Sequence, residues 1–275
     1  MAFLTTVSDI SFCTFATMNI MTSYLKYYLK AETVHNLHSP FMYKLVSEVV
    51  NRKSYRTEYS IAENIRKKML GSTESIQIMD FGTGGKKQQQ YQRTISKIAA
   101  ESSKKKKEGR LLFRLCEYFK PDTILELGTS LGISSIYMKS AYPKTQITSF
   151  EGSPETAEWA RKNFTESGFS DITVIVGNID KTLPEYLKNN ILPDIVFIDA
   201  NHAYEPCIRY FELLAKNALN DSLFIFDDIH WSEGMENAWN EIKKDVRVTA
   251  SVDLYTLGLV FFKKKLSKQD FTIFF

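Results

Sequence analysis

The chain has 275 residues, 44% of them apolar, enough for one large α/β unit with an appendage or for two small domains, which excludes a disordered chain. Its formal net charge is only +3, so no global field demands nucleic acid as a partner. Three scattered cysteines, Cys13, Cys116 and Cys207, lack metal-type spacing; they point to free thiols in a reducing cytoplasm and exclude a disulfide framework or a zinc site.

The first 25 residues carry no Lys or Arg and include Asp9, and their apolar character is diluted by Ser, Thr and Asn. A signal peptide needs a basic start and a membrane span needs about 20 nearly unbroken apolar residues, so neither is expected and 1–21 reads as a disordered extension. From 22 to 70 the pattern is helical and aromatic: Tyr24, Leu25, Tyr28 and Leu29 recur at helical spacing, and Met42 to Val50 resume the period after a break at His38-Ser-Pro-Phe41. Ser39 suits the cap of that second helix and Pro40 its first turn. His35 and His38 read as solvent-facing or locally bonded.

Residues 71–109 are polar, and the glycine cluster Met79-Asp-Phe-Gly-Thr-Gly-Gly85 inside them is followed by Lys86-Lys-Gln-Gln-Gln-Tyr91 rather than by an amphipathic helix. This predicts a flexible connecting turn. Lys104 to Lys107 reads as a solvated helix start or loop, with no aromatic platforms nearby to favour RNA. The division expected is therefore an N-terminal helical lid with a polar connector over 22–110, and a ligand-binding domain over 111–275.

After Lys120-Pro121 strands and helices alternate, the signature of a doubly wound α/β fold with a mostly parallel sheet. Strands are expected at 123–127, 145–151, 172–176, 194–199 and 222–227, with helices at about 131–141, 154–167, 181–189, 205–218 and 234–245. Val246 to Leu254 and Gly258 to Lys263 are two β-rich runs with no helix between them, so an antiparallel hairpin closes one edge and makes seven strands. Phe271-Thr-Ile-Phe-Phe275 is apolar enough to pack on the core or on a second subunit, which leaves a homodimer open.

In such a sheet ligands lie outside the carboxyl ends of the strands. The first end reads Glu126-Leu-Gly128-Thr-Ser130-Leu-Gly132-Ile-Ser134, a spacing unlike the Gly-x-Gly-x-x-Gly of dinucleotide folds, which argues for a ligand smaller than NAD. Gly128 and Gly132 would let the backbone approach it, with hydroxyls from Ser130 and Ser134. The second end places Glu151 about 20 residues on, where an acid can accept hydrogen bonds from both hydroxyls of a ribose. The third offers Gly177, Asn178, Ile179 and Asp180 for an adenine pocket, unless Asp180 only caps a helix. The fourth and fifth carry Asp199, His202, Asp227, Asp228 and His230. Three carboxylates brought together would raise one another's pKa without a cation, so Asp199, Asp227 and Asp228 are expected to hold Mg²⁺ or another divalent ion, with His202 as a base for a hydroxyl acceptor.

These residues resemble the class I S-adenosylmethionine-dependent methyltransferases, and among them the metal-dependent catechol and caffeoyl-CoA O-methyltransferases, over about 120–265. Ile124-Leu-Glu-Leu-Gly-Thr-Ser-Leu-Gly-Ile-Ser134 is similar to that family's first motif, Ser149-Phe-Glu151 to its ribose-binding acid, and Asp199 with Asp227-Asp228 to its metal ligands. The family usually has Asp-Asn where Asp227-Asp228 stands and Lys where His202 stands. The Ile-Asp-x-x-His-x-Tyr run at Ile198 also resembles a bacterial group that methylates hydroxyls of sugars and small molecules. The resemblance implies S-adenosylmethionine as cofactor, a small-molecule acceptor, and no nucleic acid or membrane partner. Two rival readings are an NAD-dependent oxidoreductase on a similar sheet and a non-catalytic module that binds S-adenosylmethionine.

Overall fold

The computed structural model describes residues 21–81, 89–189, 193–216 and 218–275. The expected N-terminal extension, except Met21, and the glycines at 82, 84 and 85 lie outside them.

Among the described residues the chain begins with helix α1 (21–30), whose residues Met21, Leu25 and Leu29 are exposed while Tyr27 is buried. Helix α2 (Pro40–Leu45) starts as expected, with Ser39 Oγ accepting from Met42 N at 3.4 Å, and runs on into a single π turn, Val46–Val50. His35 and His38 are exposed. Helix α3 (Tyr59–Leu70) completes the helical N-terminal region.

The polar stretch read as a connector folds further than its composition suggests. Strands β1 (Ser75–Asp80) and β2 (Gln89–Thr94) pair antiparallel as a separate hairpin, and helix α4 (Ile95–Glu101) follows, capped by the Thr94 hydroxyl. Its signal was weak because β2, Gln89-Gln-Tyr-Gln-Arg-Thr94, is mostly exposed and shows no apolar alternation. Helix α5 (Lys106–Phe119) buries Leu111, Leu112, Phe113, Leu115 and Cys116, and ends at Lys120, left-handed at φ 48° just before Pro121.

From there the alternation holds: β3 (Thr123–Leu127), α6 (Ile133–Ala141), β4 (Gln146–Glu151), α7 (Pro154–Glu166), β5 (Thr173–Val176), α8 (Ile179–Asn189), β6 (Ile195–Ile198), α9 (Tyr204–Ala215), β7 (Leu223–Asp227), α10 (Glu233–Lys244), β8 (Ala250–Asp253), β9 (Leu257–Phe261) and β10 (Gln269–Thr272). The sheet order is β10-β8-β9-β7-β6-β3-β4-β5, parallel from β5 to β7, with β9 antiparallel to β7 and to β8. Two apolar layers sandwich it. Ile124, Phe197 and Ile225 face α5 and α6, whereas Leu125, Val196 and Phe224 face α9 and α10. Burial on both faces is what the near-continuous apolar strands encode.

An eighth strand joins the seven expected. β10 pairs parallel with β8, so the hairpin is followed by one more strand at the edge. Ile273 is fully buried, accepts a 2.6 Å hydrogen bond from the Tyr27 hydroxyl, and bridges to Glu32. The C-terminal segment thus packs on its own core and on the N-terminal helical region.

Candidate active site

The turn after β3 is set by close packing before any ligand is considered. Gly128 sits at φ +100°, and a Cβ there would lie 2.2 Å from the Asp199 carbonyl oxygen, so only glycine allows the β3 turn to nest against the end of β6. Gly132, at φ +79°, caps α6 and would drive a Cβ into Phe164 at 2.4 Å. Glu126 is fully buried and faces away from the cavity: it accepts hydrogen bonds from Ser134 (2.5 Å), Ser149 (2.6 Å) and Ser135. Burial pushes its carboxyl up to about 7 against the pull of the three hydroxyls. Glu126 and Ser134 therefore brace the turn from behind, while Gly128 and Ser130 line a cavity of about 610 Å³.

At the end of β4, Glu151 lies in that cavity. Its Oε2 accepts from Ser130 N at 2.8 Å and its Oε1 from Ser153 N at 2.9 Å. A carboxylate has about four lone-pair sites, so each oxygen keeps one for a ligand. Asn178 and Ile179 also line the cavity, with Gly177 beside them at φ +138°. Asn178 Oδ1 caps α8 by accepting from Asp180 N at 2.9 Å, whereas the Asp180 carboxylate is held by Arg209 at 2.8 Å.

The other end of the cavity brings together Asp199, His202, Asp227 and Asp228 from the ends of β6 and β7. His202 Nε2 stands 3.5 Å from Asp199 Oδ1. Single ligand atoms of Asp199, His202 and Asp227 all lie within 4.8 Å of one another; Asp228 lines the cavity outside this group. His230 does not join them: its Nε2 meets Asp253 Oδ2 at 2.8 Å, Ser23 Oγ approaches its Nδ1 at 3.3 Å, and its ring stacks on Tyr255.

The cation at this end comes from the chain itself. Lys104, read as surface, has its Nζ 3.1 Å from Asp199 Oδ2, donates a hydrogen bond to Asp227 Oδ2, and lies 5.7 Å from the centroid of the Phe197 ring. Only 12% of its side chain is exposed. Burial acts to lower the lysine pKa, but Asp199 and Asp227 outweigh it and hold the ammonium above the usual range. Burial likewise acts to raise Asp199, yet Lys104 and His202 bring it down to about 2. Asp227 goes the other way, raised by burial and by the Asp199 charge. By chemistry two carboxylates and an imidazole suit a divalent transition-metal ion or zinc, and the carboxylates alone suit Mg²⁺. The arrangement as it stands does not fit such an ion, because the Lys104 ammonium already occupies one oxygen of each carboxylate, Asp199 Oδ2 and Asp227 Oδ2.

Several lining residues were invisible in the sequence. Ile78, Met79, Asp80, Phe81, Tyr91 and Arg93 of the hairpin form one wall. The hairpin is fastened to the start of α7, where Glu155 Oε2 accepts from Gln77 N at 2.8 Å and Ser153 Oγ from Met79 N at 3.3 Å. Phe81 lies over Gly152, whose added Cβ would be 3.1 Å from the ring. Ser103, Glu108 and Thr156 also face this cavity, each with a buried side-chain oxygen that has no protein partner. Buried polar atoms without partners are uncommon, and three lining one cavity suit a polar ligand such as an amino acid or nucleoside group.

Comparison with known proteins bears on the fold. A family described as "Methyltransferase domain" matches residues 125–229. The fold is that of the class I S-adenosylmethionine-dependent methyltransferases. The chain is 30% identical to a catechol O-methyltransferase of Niastella koreensis over 125 residues, 44% of this chain and 56% of that protein. It is 41% identical to O-methyltransferase imqG of Aspergillus flavus over 133 residues, 46% of this chain and 53% of the other. It thus spans about half the length of these curated relatives. Among solved structures of this methyltransferase fold, an O-methyltransferase from Bacillus cereus in complex with S-adenosylhomocysteine aligns with TM-score 0.55 at 18% identity, covering 79% of this chain and 96% of that one. TomG from Streptomyces achromogenes, in complex with S-adenosylmethionine, aligns with TM-score 0.55 at 18% identity over 76% of this chain and 91% of the other. No helix among the described residues is long and apolar enough to cross a membrane.

Proposed function

We propose that the chain transfers a methyl group from S-adenosylmethionine to a hydroxyl of a small-molecule acceptor. The observation that carries this reading is the continuity of one cavity from the Glu151 carboxylate to the Asp199, His202 and Asp227 cluster. When bound, S-adenosylmethionine supplies a methyl on a sulfonium sulfur, which is already an excellent leaving group. The chain's task is then alignment and proton removal.

Glu151 accepts from the ribose hydroxyls with the lone pairs its backbone donors leave, and Asn178 and Ile179 border the base. Gly128, Ser130 and the unpartnered Ser103, Glu108 and Thr156 serve the rest of the cofactor. At the far end His202 takes the acceptor proton; the oxygen lone pair forms the new bond to carbon as the carbon–sulfur bond breaks toward sulfur. Burial acts to lower the His202 pKa, but its bond to Asp199 prevails and raises it, so the imidazole becomes a free base only on the alkaline side of its ordinary range. Cys116 and Cys207, both free and buried, suit a reducing cytoplasm as the working compartment.

Incubation with methyl-tritiated S-adenosylmethionine and a panel of phenols, catechols and sugars tests the reading. Label transferred to an acceptor is expected. Cofactor binding with no turnover on any acceptor would favour a non-catalytic binding module, and binding of NAD would favour an oxidoreductase.

A further inference from the structure

The acceptor end of the cavity already contains a cation, and its placement is specific. Lys104 reaches in from the junction of α4 and α5, 123 residues before Asp227 in the chain, and sets its ammonium against both carboxylates that a divalent ion would use. Phe197, on the central strand β6, lies beneath it, and the two carboxylates are largely shielded from solvent, with the Asp227 side chain 3% and the Asp199 side chain 13% exposed. An ammonium carries three donors; two are directed at Asp199 and Asp227, which leaves one for an oxygen in the cavity that Lys104 lines.

We infer that Lys104 is the resident cation of this site, and that it excludes a divalent metal and orients the acceptor oxygen in its stead. The inference rests on the proposed methyl transfer for the acceptor, but the exclusion of metal stands on the cluster alone. Mg²⁺ needs close to six oxygens at about 2.0–2.1 Å, and it cannot gather Asp199 and Asp227 at that range while an ammonium is wedged between them. Lys104 keeps its proton throughout; it supplies charge and a hydrogen bond, and His202 remains the group that moves a proton.

The test is a titration of the full chain with Mn²⁺, followed by electron paramagnetic resonance of the free ion. The wild type and Lys104→Arg, which keeps the charge, are expected to show no saturable binding up to millimolar Mn²⁺. Lys104→Met, which empties the space between the carboxylates, is expected to take up one Mn²⁺ per chain at least about tenfold more tightly. Lys104→Gln serves the same purpose should the methionine variant fail to fold. One Mn²⁺ bound per wild-type chain and released by Asp227→Asn would overturn the inference. So would a folded Lys104→Met that gains no affinity, since Lys104 would then not be what keeps metal out. Calorimetry with S-adenosylhomocysteine on the same samples reads the cofactor end separately: failure there undoes the proposed function and leaves the Mn²⁺ result to speak for Lys104.

Discussion

The cofactor end and the acceptor end of the cavity are assembled from different kinds of sequence. At the cofactor end the groups come from two adjoining strand turns, Gly128 to Ser130 and Glu151, and the link between them is a 2.8 Å hydrogen bond from Ser130 N to Glu151. At the acceptor end Asp199 and Asp227 come from comparable strand ends, yet the group that neutralises them arrives from a lysine run in a polar stretch far upstream. The first end is a local pattern closed by sheet geometry. The second is a long-range meeting that no spacing rule contains.

That difference can be broken or sharpened by mutation, starting where the two ends touch. Gly128→Ala forces a Cβ onto the Asp199 carbonyl at a positive φ, so it should destabilise the fold by about 4 kcal/mol and disturb both ends together, as read by chemical denaturation. Glu126 gives a pH signature behind the cofactor turn. Its carboxyl titrates at about 7 when folded against an ordinary 4.5, so between those values the folded state holds a proton that the unfolded chain has released. Stability from this group therefore falls as pH rises from 4.5 to 7, by up to about 3 kcal/mol, and is level above that. Denaturation midpoints of Glu126→Gln across this window should lose much of the decline; an unchanged slope would remove Glu126 as its source.

Substitutions confined to one end should separate them further. Glu151→Gln is expected to weaken S-adenosylhomocysteine binding by about ten- to a hundredfold, roughly 1.4–2.8 kcal/mol, through loss of charge-assisted bonds to the ligand. At the acceptor end the rate at limiting acceptor should rise with pH through a value above the ordinary histidine pKa of 6.5, and His202→Ala should abolish that rise while leaving cofactor affinity within about twofold. The smallest effect is expected at the hairpin: Phe81→Ala uncovers Gly152 and should cost about fivefold in cofactor affinity, near 1 kcal/mol.

The doubly wound sheet was legible because each parallel strand is buried on both faces and reads as an apolar run ended by Gly, Asp or Glu. Glu151, Asp199, His202, Asp227 and Asp228 were legible for the same reason: a strand's carboxyl end is marked by the point where the apolar run stops. The eighth strand left a faint trace in the alternation of Phe271 and Ile273. The hairpin left almost none, since β2 rests on Gln, Tyr and Arg, and its pairing partner rather than its composition makes it a strand. Lys104 was hidden among three neighbours of its own kind. Lys105, Lys106 and Lys107 are exposed, and only the turn between α4 and α5 decides which of the four is buried. Gly132 and Glu126 were legible as important, and the packing adds a reason of its own, because each supports the turn through contacts behind it.

The most direct measurement is isothermal calorimetry of the full chain with S-adenosylhomocysteine in EDTA, beside NAD and beside the Glu151→Gln variant. One S-adenosylhomocysteine bound per chain without metal, weakened by Glu151→Gln, with NAD inert, is the predicted result. No S-adenosylhomocysteine binding, or NAD binding that depends on Glu151, would contradict the assignment of this cavity to S-adenosylmethionine.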